Sequence, residues 1–99
     1  MKRTSSMIYK PTTEANELYI YIVNTERLYR SNIIPVIENL KKKYKKGIYD
    51  KEKAIDLWYY TATAGSDLYN KDYGYKFSVQ DRFTVATDLE ARFFEDIES

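Results

Sequence analysis

The sequence predicts an all-α fold: a compact single-domain helical bundle of three main helices, with a shorter N-terminal helical segment ahead of them. Three observations carry this. The stretch from Gly47 to Gly74, GIYDKEKAIDLWYYTATAGSDLYNKDYG, has a clear start, a clear stop and a two-sided middle. Residues 32–46 and 78–97 repeat apolar positions near the helical period. The one strand-like stretch, Leu18 to Val23, finds only Tyr75 to Val79 as a partner, and a lone two-stranded ribbon is marginal in water.

Taken in order, residues 1–13 are polar, contain Pro11 and show no period, so they read as a flexible N-terminal arm, with the helical domain covering 14–99. Thr12 or Thr13 can cap the first helical segment. In EANELYIYIV, residues 14–23, Leu18, Ile20 and Ile22 alternate as in a strand, while Leu18, Tyr21 and Ile22 also fit a helix, which is the preferred reading. Asn24 and Thr25 punctuate the chain. Beyond them Glu26 and Arg30 stand in the favourable i,i+4 order, with Leu28 and Tyr29 inward. Pro35 is tolerated in the first turn of a helix, so a break is expected near residues 30–32, with Ser31 or Asn32 capping a helix over about 32–46. Ile33, Val36, Ile37, Leu40 and Tyr44 form its stripe, and Gly47 closes it.

The central helix is expected over about 50–72, with Asp50 as N-cap and Gly74 as the left-handed stop. Its wheel puts Ala54, Leu57, Trp58, Thr61, Ala62, Gly65, Leu68 and Tyr69 on one face, opposite Glu52, Asp56, Thr63, Asp67 and Asn70. Gly65 falls between Trp58 and Tyr69, where a missing side chain admits another helix at a propensity cost of ~1 kcal/mol. Ser78 with Asp81 makes a capping box for the last helix, about 78–97. Val79, Phe83, Ala86, Phe93, Phe94 and Ile97 line its apolar face, and Asp88 with Arg92 reads as an exposed i,i+4 pair. Glu90 projects into that apolar face, where a carboxylate needs a donor. The tyrosines Tyr21, Tyr29, Tyr44 and Tyr69 are the candidate donors, and Gly65 and Glu90 are expected to belong to one helix packing.

Composition bounds the function. Ninety-nine residues suit one core; 43% hydrophobic and 31% charged residues are globular values. The uncharged runs are far shorter than a membrane span, and Lys2 and Arg3 lead into Thr, Ser and Ser with no apolar stretch, so the expectation is a cytoplasmic protein with no membrane partner. Without cysteine or histidine, disulfides, structural zinc and the usual general base are missing. The expectation is therefore a non-enzyme, with no catalytic residue, no cofactor and no metal. Glu90 is the one carboxylate placed to act as acid or base, but no nucleophile, phosphate loop or second carboxylate accompanies it.

Two surfaces are candidates for binding. Lys41, Lys42, Lys43, Lys45 and Lys46, in the run KKKYKK, suit a polyanion such as nucleic acid, although Tyr44 belongs to the inward stripe and a charge run is commonly a solvated helix face. Residues 81–99 carry six acids against two arginines, and this asymmetry fits an intramolecular match, a homo-oligomer contact or a basic patch. Among the eleven tyrosines, Tyr59, Tyr60, Tyr73 and Tyr75 fall at margins where they suit a protein partner, with rim packing inside the bundle as the competing reading. Asp50, Trp58, Gly65, Ser78, Asp81 and Glu90 are read as structural.

Leu28-Tyr29-Arg30, Ile34-Pro35-Val36-Ile37-Glu38-Asn39-Leu40, Gly47-Ile48-Tyr49-Asp50-Lys51-Glu52-Lys53-Ala54 and Ala64-Gly65, in that order, resemble a group of short uncharacterised accessory proteins from tailed-phage genomes. These carry an LYR, a P-x-I-x-NL, a G-x-YD-x-x-x-A and a later AG. The resemblance spans most of residues 17–95 and rests on turn and core signals, so it transfers no activity. It implies a phage source, hence a bacterial host cell, and one helical unit; by elimination the preferred function is a non-enzymatic protein that binds a host protein, such as a defence or transcription component, and inhibits it. A nucleic-acid-binding module using the lysine run is the alternative.

Overall fold

A computed structural model describes residues 12–99, so the predicted arm lies outside the described residues apart from its last two positions. The chain forms α1 (Thr13–Val23), α2 (Glu26–Leu28), a π turn (Tyr29–Ile33), α3 (Ile34–Lys45), α4 (Lys51–Tyr73) and α5 (Val79–Glu98). The fold is all-α, with no strand among the described residues. The ambiguous stretch 14–23 is helical: Thr12 accepts from the Ala15 amide as N-cap, and Ala15, Leu18 and Ile22 put their 3-4 spacing into the core. The shortest extent of the molecule, 20 Å, is about two helix diameters. Within it α5 packs on α1, α3 and α4, and α4 with α5 forms the most extensive seam.

Sequence-local signals hold. Asp50 caps α4, accepting from the amides of Glu52 and Lys53, and Gly74 stops it at φ 71°. Gly47 stands at φ 75° after α3. Ser78 caps α5 through the Asp81 amide at 3.0 Å, while the Asp81 carboxylate accepts instead from the Thr12 hydroxyl at 2.9 Å, tying the start of α1 to the start of α5. Trp58 is fully buried and stacks on Phe93 with 5.3 Å between ring centres.

The expected break at 30–32 does not occur. From Glu26 to Lys45 the chain is one helical rod, and neither Ser31 nor Asn32 caps it; Ser31 Oγ donates back to the Arg27 carbonyl. The rod absorbs Pro35 through the π turn, in which the Ile34 amide bonds the Tyr29 carbonyl five residues back. A proline ring collides with the carbonyl four residues before it in a regular α-helix, and the wider turn relieves that collision. The same turn brings Leu28 and Ile33, five apart in sequence, to the core together.

Three further expectations need correction. Leu28 is buried, but Tyr29, expected inward beside it, is exposed on the π turn. The inner face of α5 is Thr84, Val85, Ala86, Leu89, Glu90, Phe93 and Ile97, whereas Val79 and Phe83 are 60% and 47% exposed. The first half of α5 is apolar on two sides, and the position of α1 and α4 decides which side is covered. Nor do Asp88 and Arg92 pair: among the described residues the one ion pair is Arg30 with Glu26, and the Arg92 guanidinium lies 5.5 Å from the Phe93 ring centre. No helix among the described residues is long and apolar enough to cross a membrane.

Candidate functional site

The last turns of α4 and the connection after them build an aromatic cluster. Gly74 turns the chain in a left-handed conformation, so Tyr75 and Phe77 fold back beside Tyr69 and Tyr73. Tyr69 meets Phe77 at 5.0 Å and Tyr73 at 4.7 Å, Tyr75 meets Phe77 at 4.8 Å, and Tyr21 of α1 joins edge-on to Tyr69 at 5.0 Å. Phe77 is buried and anchors the group, while Tyr73 at 67% and Tyr75 at 43% exposure form its outer surface.

Carboxylates border these rings. Glu14 and Glu17 of α1 line a cleft of about 270 Å³ with Tyr69, Tyr73, Tyr75 and Phe77. Tyr69 Oη donates to Glu17 at 2.9 Å and Tyr21 Oη donates to Asp72 at 3.2 Å. Both phenols ionise less readily than usual: for Tyr69 the bond to Glu17 is the main cause, for Tyr21 burial first and then the bond to Asp72. Each hydroxyl is thereby held as a donor, which fixes its ring. Fixed rings beside acids offer flat apolar area together with attraction for ammonium or guanidinium groups.

Of the four tyrosines proposed from sequence, only Tyr73 and Tyr75 belong to this cluster. Tyr59 is half-buried against Phe83 at 5.5 Å, with the Arg82 guanidinium 5.6 Å from its ring centre, and Tyr60 stands 71% exposed on α4 apart from the cluster. Sequence reasoning missed Phe77, Glu14 and Glu17, and took Tyr21 and Tyr69 as inward positions and donors for Glu90 and not as part of this surface. The spacing of Glu14, Glu17 and Tyr21 along one side of α1 was the available signal.

The lysine run occupies the end of α3 and the turn beyond it, at the opposite end of α4, whose 23 residues span about 34 Å at 1.5 Å each. Lys42, Lys45 and Lys46 are exposed, and Lys41 and Lys43 half-buried. None of the five forms an ion pair with a described residue, and the carbonyl end of α3 favours their charge. Tyr44 does not stand among them as a stacking platform; its ring packs edge-on to Tyr49 and Phe94, each at 6.0 Å.

Glu90 is buried as expected, but its donor is none of Tyr21, Tyr29, Tyr44 and Tyr69. Tyr49, in the α3–α4 connection, donates to its Oε2 at 2.7 Å. Burial and then this bond raise the Tyr49 pKa. Gly65 faces Ile22 and Leu28 instead, so the two positions serve different packings. Comparison with protein-family models, with curated proteins and with solved structures finds no match.

Proposed function

We propose that this chain is a non-enzymatic binding protein that works by protein–protein contact through the aromatic and acidic surface at the end of α4. One observation carries the reading: Tyr73 and Tyr75 stay exposed while a buried Phe77 and two tyrosine–carboxylate hydrogen bonds hold the cluster rigid. Rigid aromatic area loses little conformational entropy on binding, and such residues commonly dominate interface energetics. Glu14, Glu17 and Asp72 select a partner segment rich in lysine or arginine. The resemblance to tailed-phage accessory proteins supports a host protein as the partner, in the bacterial cytoplasm, with inhibition of a defence or transcription component as the outcome.

A second reading rests on the five lysines that lack an ion pair among the described residues: a polyanion such as nucleic acid binding at the end of α3. Salt separates the two, because phosphate contacts weaken steeply as counterions are added. Affinity for a partner purified from host lysate is the measurement. Tyr73→Ser with Tyr75→Ser should weaken it by about 2 kcal/mol or more, while Lys42→Glu, Lys45→Glu and Lys46→Glu leave it within a few-fold. The opposite pattern, with a steep salt dependence, sinks the first reading in favour of the second.

A further inference from the structure

At the other end of α4 a second cleft, of about 380 Å³, is lined by Tyr49, Lys51, Glu90, Ala91 and Phe94. Its walls are mainly apolar. Tyr49 and Phe94 stand edge to face at 5.5 Å, and Tyr44 braces both at 6.0 Å, so the aromatic sides are fixed by mutual packing. The acidic group in this lining is Glu90, more than nine-tenths buried and accepting one hydrogen bond at Oε2 from Tyr49. Oε1 takes no hydrogen bond from any described residue, and no described cation pairs with the carboxylate. A largely buried side chain whose second carboxylate oxygen takes no hydrogen bond from a described residue, set in a cleft beside aromatic faces, is an environment that gains from a cation able to donate N–H bonds and to lay an apolar stem along the rings.

We propose that this cleft binds the head of an alkylammonium or alkylguanidinium group, with Glu90 Oε1 accepting its N–H donors and the Tyr49 and Phe94 rings, with Ala91, flanking its alkyl stem. The Tyr49 hydroxyl holds the carboxylate in place by donating to its other oxygen. Lys51, exposed on the first turn of α4, stands at the rim without pairing with Glu90 and opposes an incoming cation. An anion is the poorer occupant, because it would have to approach the buried charge of Glu90. The cation can come from a free amine or from a lysine or arginine side chain of a partner, and the chemistry at Glu90 is the same.

The test is titration of the full chain with n-butylammonium and n-butylguanidinium, with n-butanol and butyrate as controls, read by NMR shifts of Tyr49, Glu90 and Phe94. Both cations should move these signals saturably, and the controls should not. Glu90→Gln keeps an acceptor for Tyr49 and removes the charge, and it should weaken binding about tenfold or more, the worth of a charge-assisted hydrogen bond. Lys51→Met should tighten cation binding; weaker binding in that variant overturns the proposal. Ala91→Phe fills the cleft from its exposed side without altering Glu90, and should abolish binding even if Glu90→Gln fails to fold. A blocked lysine peptide that binds at least about tenfold tighter than n-butylammonium identifies a protein side chain as the source; equal affinity identifies a free amine. Absence of any shift with either cation, or equal response in Glu90→Gln, overturns it.

Discussion

A side chain at position 65 would have to occupy space that Ile22 already fills. A Cβ built there overlaps Ile22 Cγ1 and comes within 2.7 Å of Cδ1, and Ile22 is itself fully buried on α1. The glycine therefore serves close approach between helices and not an unusual backbone angle. Gly65→Leu should lower stability by about 1–3 kcal/mol through overpacking, although leucine is the better helix former by ~1 kcal/mol. In thermal melts, Gly65→Leu combined with Ile22→Ala should cost less than the two separate losses added together, since the leucine refills the space. Simple additivity would mean that the two residues do not compete for it. Asp88 shows a different kind of cost. Desolvation raises its pKa above the usual 3.8, so the folded state disfavours the charge. The favourable contribution of a raised acid exists only below its unfolded pKa and disappears as pH rises through the folded one. Asp88→Asn should accordingly raise Tm near neutrality, with the gain vanishing in acid where both side chains are neutral. A melting temperature that falls at neutral pH would show that the carboxylate has a partner after all.

Helix ends were legible because their chemistry is local: Thr12, Asp50 and Ser78 each cap a helix through an amide two or three residues away. Asp50→Ala should cost about 1 kcal/mol, the usual worth of such a cap, read as a lower denaturant midpoint with an unchanged slope. Faces were less legible than ends. On α4 the wheel worked, since its apolar residues cluster on one side and Ala54, Trp58, Thr61, Ala62 and Gly65 are indeed buried. On α5 it turned Val79 and Phe83 inward and overlooked Val85 and Leu89, because two apolar sides compete there and only the neighbouring helices choose between them. The π turn was invisible for a plainer reason. A spacing of five between Leu28 and Ile33 matches neither helix nor strand, and a wheel drawn at the ordinary period reads it as an interruption.

For the molecule as a whole, contiguous features could be read and assembled ones could not. The lysine run was found at once, being five residues in a row of six. The aromatic and acidic surface was found only in half, because Glu14, Glu17 and Tyr21 come from α1, Tyr69 and Tyr73 from α4, and Tyr75 and Phe77 from the connection between α4 and α5. Tyr49 and Glu90 lie 41 positions apart, so nothing local pairs them. Chain length is the remaining variable, and the rod from Glu26 to Lys45 sets a rule for it. A π turn amounts to one residue inserted into an α-helix, so losing Ser31, which is exposed, would put Leu28 and Ile33 four apart and leave the buried stripe in line. That shortening would also return Pro35 to a regular turn, at a cost of ~3 kcal/mol. Deletion of Ser31 alone should therefore destabilise the protein by about that amount, and deletion together with Pro35→Ala should be nearly neutral in a denaturant melt. The extra residue and the proline are a matched pair, and a chain that loses one has reason to lose the other.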